Sequence, residues 1–291
     1  MSRSIRGIRE AISFPRFAAF TTGMTLSLVM LGVYTAATGS GLACSAQWPL
    51  CDNGLLPQTI PSFIEWFHRL IAMVTGWFIL GTALWAWRRP GRRTRLAATL
   101  AVCLLPLQIS IGAVTVTLNG VLPQGYSAPT QGAHLVVALS IFSLLVWTTL
   151  SARTERGPPL PRVRKTLGVA LAAIVAGAVV SRVFTPIAYT PAAQALFYGA
   201  ALVAVAALLA ATRWLAGTTV PHLRYATGFA LLPLLTGMLL GRDLVFYTST
   251  VRLLNVACFA LAGAAVVVAA LLTRRARPDG RTGAVTSTRS D

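Results

Sequence analysis

The chain has 291 residues, is 55% hydrophobic and only 11% charged, and has a mean hydropathy of +0.69, a composition too apolar for a soluble domain. Its formal net charge of +18 would suit a nucleic-acid binder only if the basic residues formed one face of a soluble fold. They fall instead between long apolar runs, which excludes nucleic acid as a partner and marks an all-α, polytopic membrane protein.

In chain order, the apolar runs cover residues 18–38, 62–87, 95–118, 128–152, 165–183, 190–212, 222–241 and 250–273, each near the length a bilayer requires. The first follows a basic segment, but at about 20 apolar residues it is longer than a signal-peptide core, so a retained anchor is expected. The fifth is short between Lys165 and Arg182, with Pro186 just beyond, so its ends are the least defined. All but four of the 25 Lys and Arg residues lie in the N-terminal segment, the second, fourth and sixth loops, and the tail. That bias places both termini in the cytoplasm and the loop carrying Cys44 and Cys51 outside the cell membrane. The exceptions are Arg69, Arg182, Arg242 and Arg252.

The eight spans fall into two sets of four, divided by ARTERGPPLPRVRK at 152–165. The expected architecture is two pseudo-repeated four-helix bundles, residues 1–152 and 153–275, followed by a disordered basic tail at 276–291. LLPL at 104–107 and again at 231–234 is a weak echo of such a repeat.

The first outer loop, TGSGLACSAQWPLCDNGLLPQ at 38–58, is rich in turn formers and holds Cys44 and Cys51. On the oxidising side a disulfide between them would close a short ring and fix a lid over the bundle. A reactive dithiol is the alternative. Cys103 and Cys258, inside spans, are expected as small core residues.

The second span opens with IEWFHRL, placing Glu65, His68 and Arg69 in an apolar run. Glu65 stands three residues before His68, so the two share a helix face, and a carboxylate in hydrocarbon is costly enough to imply a bundle-facing, functional position. An interfacial Glu65–Arg69 ion pair is the plainer alternative. His134 lies in the fourth span; the remaining histidine, His222, precedes the seventh. His68 and His134 are each six residues in from the outer entry of their spans, roughly 9 Å at the helical rise. Two imidazoles at one depth on diagonal helices would clamp one metal centre, and a bis-histidine haem suits such a pair better than zinc, which needs more ligands. A histidine that merely hydrogen-bonds a neighbouring helix is the competing explanation.

TGSGLAC with WPLC, then EWFHR, QISIGAVTV and GAHLVVAL, in that order over residues 30–145, resemble the haem A synthase family. The resemblance implies a membrane oxidoreductase of haem biosynthesis that converts a ring methyl of haem O to a formyl group, giving haem A for terminal oxidases. It implies His68 and His134 as axial iron ligands, Glu65 as the catalytic acid/base beside the reacting methyl, and Cys44–Cys51 as a disulfide. Arg69 would orient Glu65 or meet a propionate. Implied partners are haem O, the haem O synthase (protohaem farnesyltransferase) that supplies it, and an electron acceptor; a homo-oligomer is left open. Family members with eight helices commonly repeat the histidine pair in the second half to hold a b-type haem. Here Tyr198 and Asn255 stand at those positions, so one haem site per chain is expected, with the second half as scaffold. Arg182, Arg242, Asp243, Arg252 and Asn255 near the outer side are read as interfacial residues, propionate contacts or oligomer contacts. Two rivals stand beside the enzyme: a b-type cytochrome using the same ligands for electron transfer alone, and a two-repeat transporter.

Overall fold

The computed structural model describes residues 13–44, 47–48, 50–89, 91–117, 127–153, 159–216, 221–242 and 246–275. The expected basic tail at 276–291, Arg3, Arg6 and Arg9 of the N-terminal basic segment, and Asp243 lie outside the described residues. Those described form eight long helices: α1 Phe14–Ala37, α2 Ile60–Trp87, α3 Arg92–Thr117, α4 Ala128–Ser151, α5 Leu160–Val180, α6 Pro191–Leu215, α7 Pro221–Leu240 and α8 Ser249–Arg275. All eight are long and apolar enough to cross a bilayer, and the chain is a multi-pass membrane protein.

Local chemistry sets where they start. α2, α4 and α6 begin alike: the hydroxyls of Thr59, Ser127 and Thr190 accept from the backbone N–H three residues on, and a proline occupies the first turn, where its missing N–H costs nothing. Thr248 does the same for the first turn of α8 through Val251 N–H. Pro106 and Pro233 lie inside α3 and α7, which continue through them.

Neighbouring helices close two rings. In the first, α1 packs on α2, α2 on α3, α3 on α4 and α4 back on α1; in the second, α5, α6, α7 and α8 repeat that order. α2 and α4 are therefore opposite members of the first ring. The rings meet where α6 packs on α1 and α4. α6 is the most enclosed helix, with Phe197, Tyr198, Leu202, Leu208 and Leu215 fully buried. Polar stitches join α1 to its neighbours: Thr21 to Thr82 on α2 and Thr22 to Thr149 on α4, each at 3.0 Å.

The cysteines inside the spans depart from expectation. Cys103 is exposed and Cys258 only partly buried, so neither is a core residue; Cys258 instead lies against α7 beside Gly237.

Candidate active site

The site is built at the end of the first ring where α1 finishes and α2 and α4 begin. Cys44 and Cys51 are joined as a disulfide, both buried. A one-turn 3-10 helix, Ser40–Leu42, carries the chain from α1 into this loop. Gly39 enters it with φ +73°, a conformation that favours glycine. Asp52 and Asn53 also adopt left-handed backbone, where side-chain bonds hold them. Asn53 exchanges two hydrogen bonds with Gln47, and Asp52 accepts from Gln58 N–H and from the Ser62 hydroxyl on α2. The loop is thus a compact lid anchored to the start of α2.

Glu65 lies directly beneath it, 2% exposed. One carboxylate oxygen accepts from Cys44 N–H at 3.0 Å and the other from the Arg69 guanidinium. Arg69 in turn donates to the backbone carbonyls of Gln47 and Leu50, both at 3.0 Å. The anticipated Glu65–Arg69 pair therefore forms, but under the lid rather than out at the interface. The disulfide, the lid carbonyls, Arg69 and Glu65 make one connected unit. Removing the disulfide, as in Cys51→Ser, is expected to destabilise the protein by about 2–3 kcal/mol from the entropy of so short a ring. A lowered melting temperature in detergent checks this, and reductant should reproduce the shift in the unsubstituted protein.

His68 and His134 project from the opposite helices α2 and α4, at the end of the ring that carries the lid. Each ring lies against a glycine of a third helix. A Cβ on Gly32 of α1 would stand 2.9 Å from His68 Cε1, and one on Gly112 of α3 would stand 3.1 Å from His134 Cε1. Glycine at Gly32 lets the His68 imidazole approach where a Cβ would force it to shift, and Gly112 gives His134 a close seat of the same kind. His134 Nε2 meets the Gln108 side-chain amide at 3.1 Å. The Nδ1 atoms of both histidines are buried and have no partner among the described residues. An imidazole in an apolar bundle with hydrogen-bonding capacity to spare is costly unless a ligand uses it. Two imidazoles on opposite helices of one ring would suit a metal that brings its other ligands with it, as a porphyrin iron does. Among the described residues no cluster of three or more His, Cys, Asp or Glu offers a self-sufficient metal site.

The second ring is arranged differently at the corresponding positions. Tyr198 is fully buried and its hydroxyl donates to Met238 O at 2.6 Å; Asn255, also fully buried, donates to the Tyr247 hydroxyl at 3.2 Å. Arg182 lies over the Tyr247 ring, its guanidinium carbon 4.4 Å from the centroid, and Arg252 donates to Val183 O. These two arginines line an open cavity of about 600 Å³ at the same end of the second ring. Arg242 does not point to the interface. It is buried and reaches across the ring boundary to Gln131 on α4.

Sequence reasoning brought forward Glu65, His68, Arg69, His134 and the cysteine pair, and the fold gathers all six at one end of the first ring. It missed Gln108, Gly32, Gly112 and the reach of Arg242. Gln108 carried a readable signal, being a lone amide in the apolar run of α3. The glycines and Arg242 depend on which helices become neighbours.

A model of the cytochrome oxidase assembly protein family, COX15-CtaA, matches residues 58–273. A haem A synthase of Bacillus licheniformis is 34% identical over 133 residues, 45% of this chain and 42% of that protein. One of Bacillus pumilus is 30% identical over 153 residues, 49% of this chain and 48% of that protein. A protohaem IX farnesyltransferase of Halobacterium salinarum is 40% identical over 134 residues, 44% of this chain but 28% of that protein. The chain thus spans less than half the length of these curated relatives. With the family match covering most of the chain, the chain belongs to the COX15-CtaA family of cytochrome oxidase assembly proteins, the haem A synthase family.

Proposed function

We propose that the protein oxidises a ring methyl of haem O to a formyl group, giving haem A. The observation that carries this reading is the pair of imidazoles from opposite helices of one ring, each seated on a glycine, beside a buried carboxylate. In this reading His68 and His134 would hold the iron of the bound substrate, which would supply the redox chemistry. Water supplies the formyl oxygen, and the hydrogens removed leave as protons and electrons in equal number, the electrons passing to an acceptor of another protein. Glu65 takes protons beside the reacting carbon, Arg69 and Cys44 N–H hold its carboxylate in place, and the lid keeps bulk water out. The division at residue 152 into a haem-binding half and a supporting half belongs to the same proposal, as does the single haem per chain, since Tyr198 and Asn255 are committed to other bonds. So does the orientation, with the disulfide lid outside the cell membrane and both termini in the cytoplasm. The similarity to a protein named for farnesylating protohaem supports a haem O-forming farnesyltransferase as the partner that delivers substrate.

A second reading has a specific observation behind it. Both oxygens of Glu65 are engaged by the lid unit, which is what an anchor for the lid would show. Glu65→Gln separates the two roles, because glutamine retains an acceptor for Cys44 N–H but does not ionise. The test of the whole proposal is co-expression with a haem O-forming enzyme, followed by chromatographic identification of extracted haems. Haem A should appear with the unsubstituted chain and be absent for His68→Ala, His134→Ala and Glu65→Ala. A b-type cytochrome would bind haem and yield no haem A in any of them.

The glycine seats give a further expected result. Gly32→Ala forces His68 to shift and should weaken haem binding and alter the Soret band of the loaded protein. Gly23→Ala, on the same helix with nothing within 4 Å of the added Cβ, should leave both unchanged. Haem titration monitored by absorbance checks the pair.

A further inference from the structure

Arg242 follows the end of α7 in the second ring, yet it is spent on the first. It is 8% exposed. One of its terminal nitrogens, Nη2, donates to Gln131 Oε1 on α4 at 3.3 Å. The guanidinium carbon lies 5.8 Å from the centroid of the Tyr198 ring. Its Nη1 is buried with no partner among the described residues. Gln131 stands three residues before His134, so the two occupy nearby positions on one face of α4, and Arg242 is near enough to His134 to act on it electrostatically.

A guanidinium so enclosed needs an anion, because an unpaired charge in this environment is costly. Among the described residues the only ion pair is Arg69 with Glu65, which leaves Arg242 without a carboxylate from the protein there. Arg69 has committed donors to Glu65, Gln47 O and Leu50 O, so it is poorly placed to serve a second anion. The planar fork of an arginine is matched to a carboxylate. The haem substrate of the proposed function carries two, its propionates.

We propose that Arg242 is a carboxylate-binding residue of the first ring's site, pairing through its guanidinium with a propionate of the porphyrin that His68 and His134 hold. This rests on the haem reading above. It gives the second ring a direct part in substrate binding: α7 ends where its arginine can cross to α4, and Tyr198, at the position of a missing histidine, supports that arginine with its ring face.

The test is an absorbance titration of the purified full chain in detergent with protohaem and, separately, with protohaem dimethyl ester, whose carboxylates are masked. The unsubstituted protein should bind the free acid more tightly than the ester by about 10- to 100-fold, the range of a charge-assisted hydrogen bond. Arg242→Gln should lose that preference while binding the ester as before, Arg242→Lys should recover part of it, and Asp243→Asn should leave it intact. Equal affinity of the unsubstituted protein for acid and ester overturns the proposal, and needs no variant to fold. Equal weakening of both ligands by Arg242→Gln overturns it in favour of a purely structural arginine. Loss of the preference in Asp243→Asn also overturns it, since the anion at Arg242 would then be the neighbouring side chain. Absence of protohaem binding by the unsubstituted protein would instead defeat the haem reading, so the two failures are distinguishable.

Discussion

Glu65→Gln is expected to bind haem O with undiminished occupancy and to form haem A more slowly by about 10²- to 10⁴-fold, the usual contribution of a positioned acid or base. The substitution keeps volume and an acceptor for Cys44 N–H, so the lid should stay seated, while the loss of the carboxylate facing Arg69 should lower the melting temperature. It removes the charge that Arg69 now meets, leaving that guanidinium with its two lid carbonyls. If Glu65 served only to anchor the lid, Gln would preserve most of the turnover while Glu65→Ala lost it. Haem extraction and chromatography after co-expression separate these outcomes, and haem content measured on the same samples shows that binding survived.

The larger effect on binding should come from the histidines. His68→Ala and His134→Ala each remove one of two protein ligands to the iron, and each should lower haem occupancy far more than Gly32→Ala does. The double variant should be little worse than either single one, because residues acting as a unit are not additive. Occupancy is read from the ratio of Soret to protein absorbance after purification with haem in excess. Additive, mild losses would show that the two imidazoles do not share a ligand.

Much of the fold was legible in the sequence because a bilayer imposes a simple rule: every backbone polar group must be satisfied within a helix. Eight spans were expected, and eight long helices form among the described residues. Their ends were less legible. α1 begins at Phe14 rather than near residue 18, since Phe14 is buried and packs edge-on to Trp85 of α2. α5 begins at Leu160 rather than near 165, carrying Arg162, Arg164 and Lys165 within the helix. Hydropathy marks the apolar slab, whereas helices continue past it where charged side chains reach water.

The same distinction holds for the site. Glu65, His68 and His134 announced themselves by cost, because ionisable groups in apolar runs are rarely idle. That α2 and α4 stand opposite each other had to be supplied by the packing, although four helices in a ring allow few arrangements. Gly112 lay inside the quoted QISIGAVTV and Gly32 was one of 24 glycines; the role of each appears only once an imidazole rests on it. Arg242 looked like one of several interfacial arginines. Its difference from Arg252, which donates to Val183 O in its own ring, lies in which neighbour its helix end faces.

The most direct measurement is electron paramagnetic resonance of the purified ferric protein loaded with haem O. Iron held between two imidazoles should give a low-spin signal, and that signal should be lost in both His68→Ala and His134→Ala. A high-spin signal in the unsubstituted protein, or a low-spin signal that persists unchanged in either variant, would contradict that arrangement.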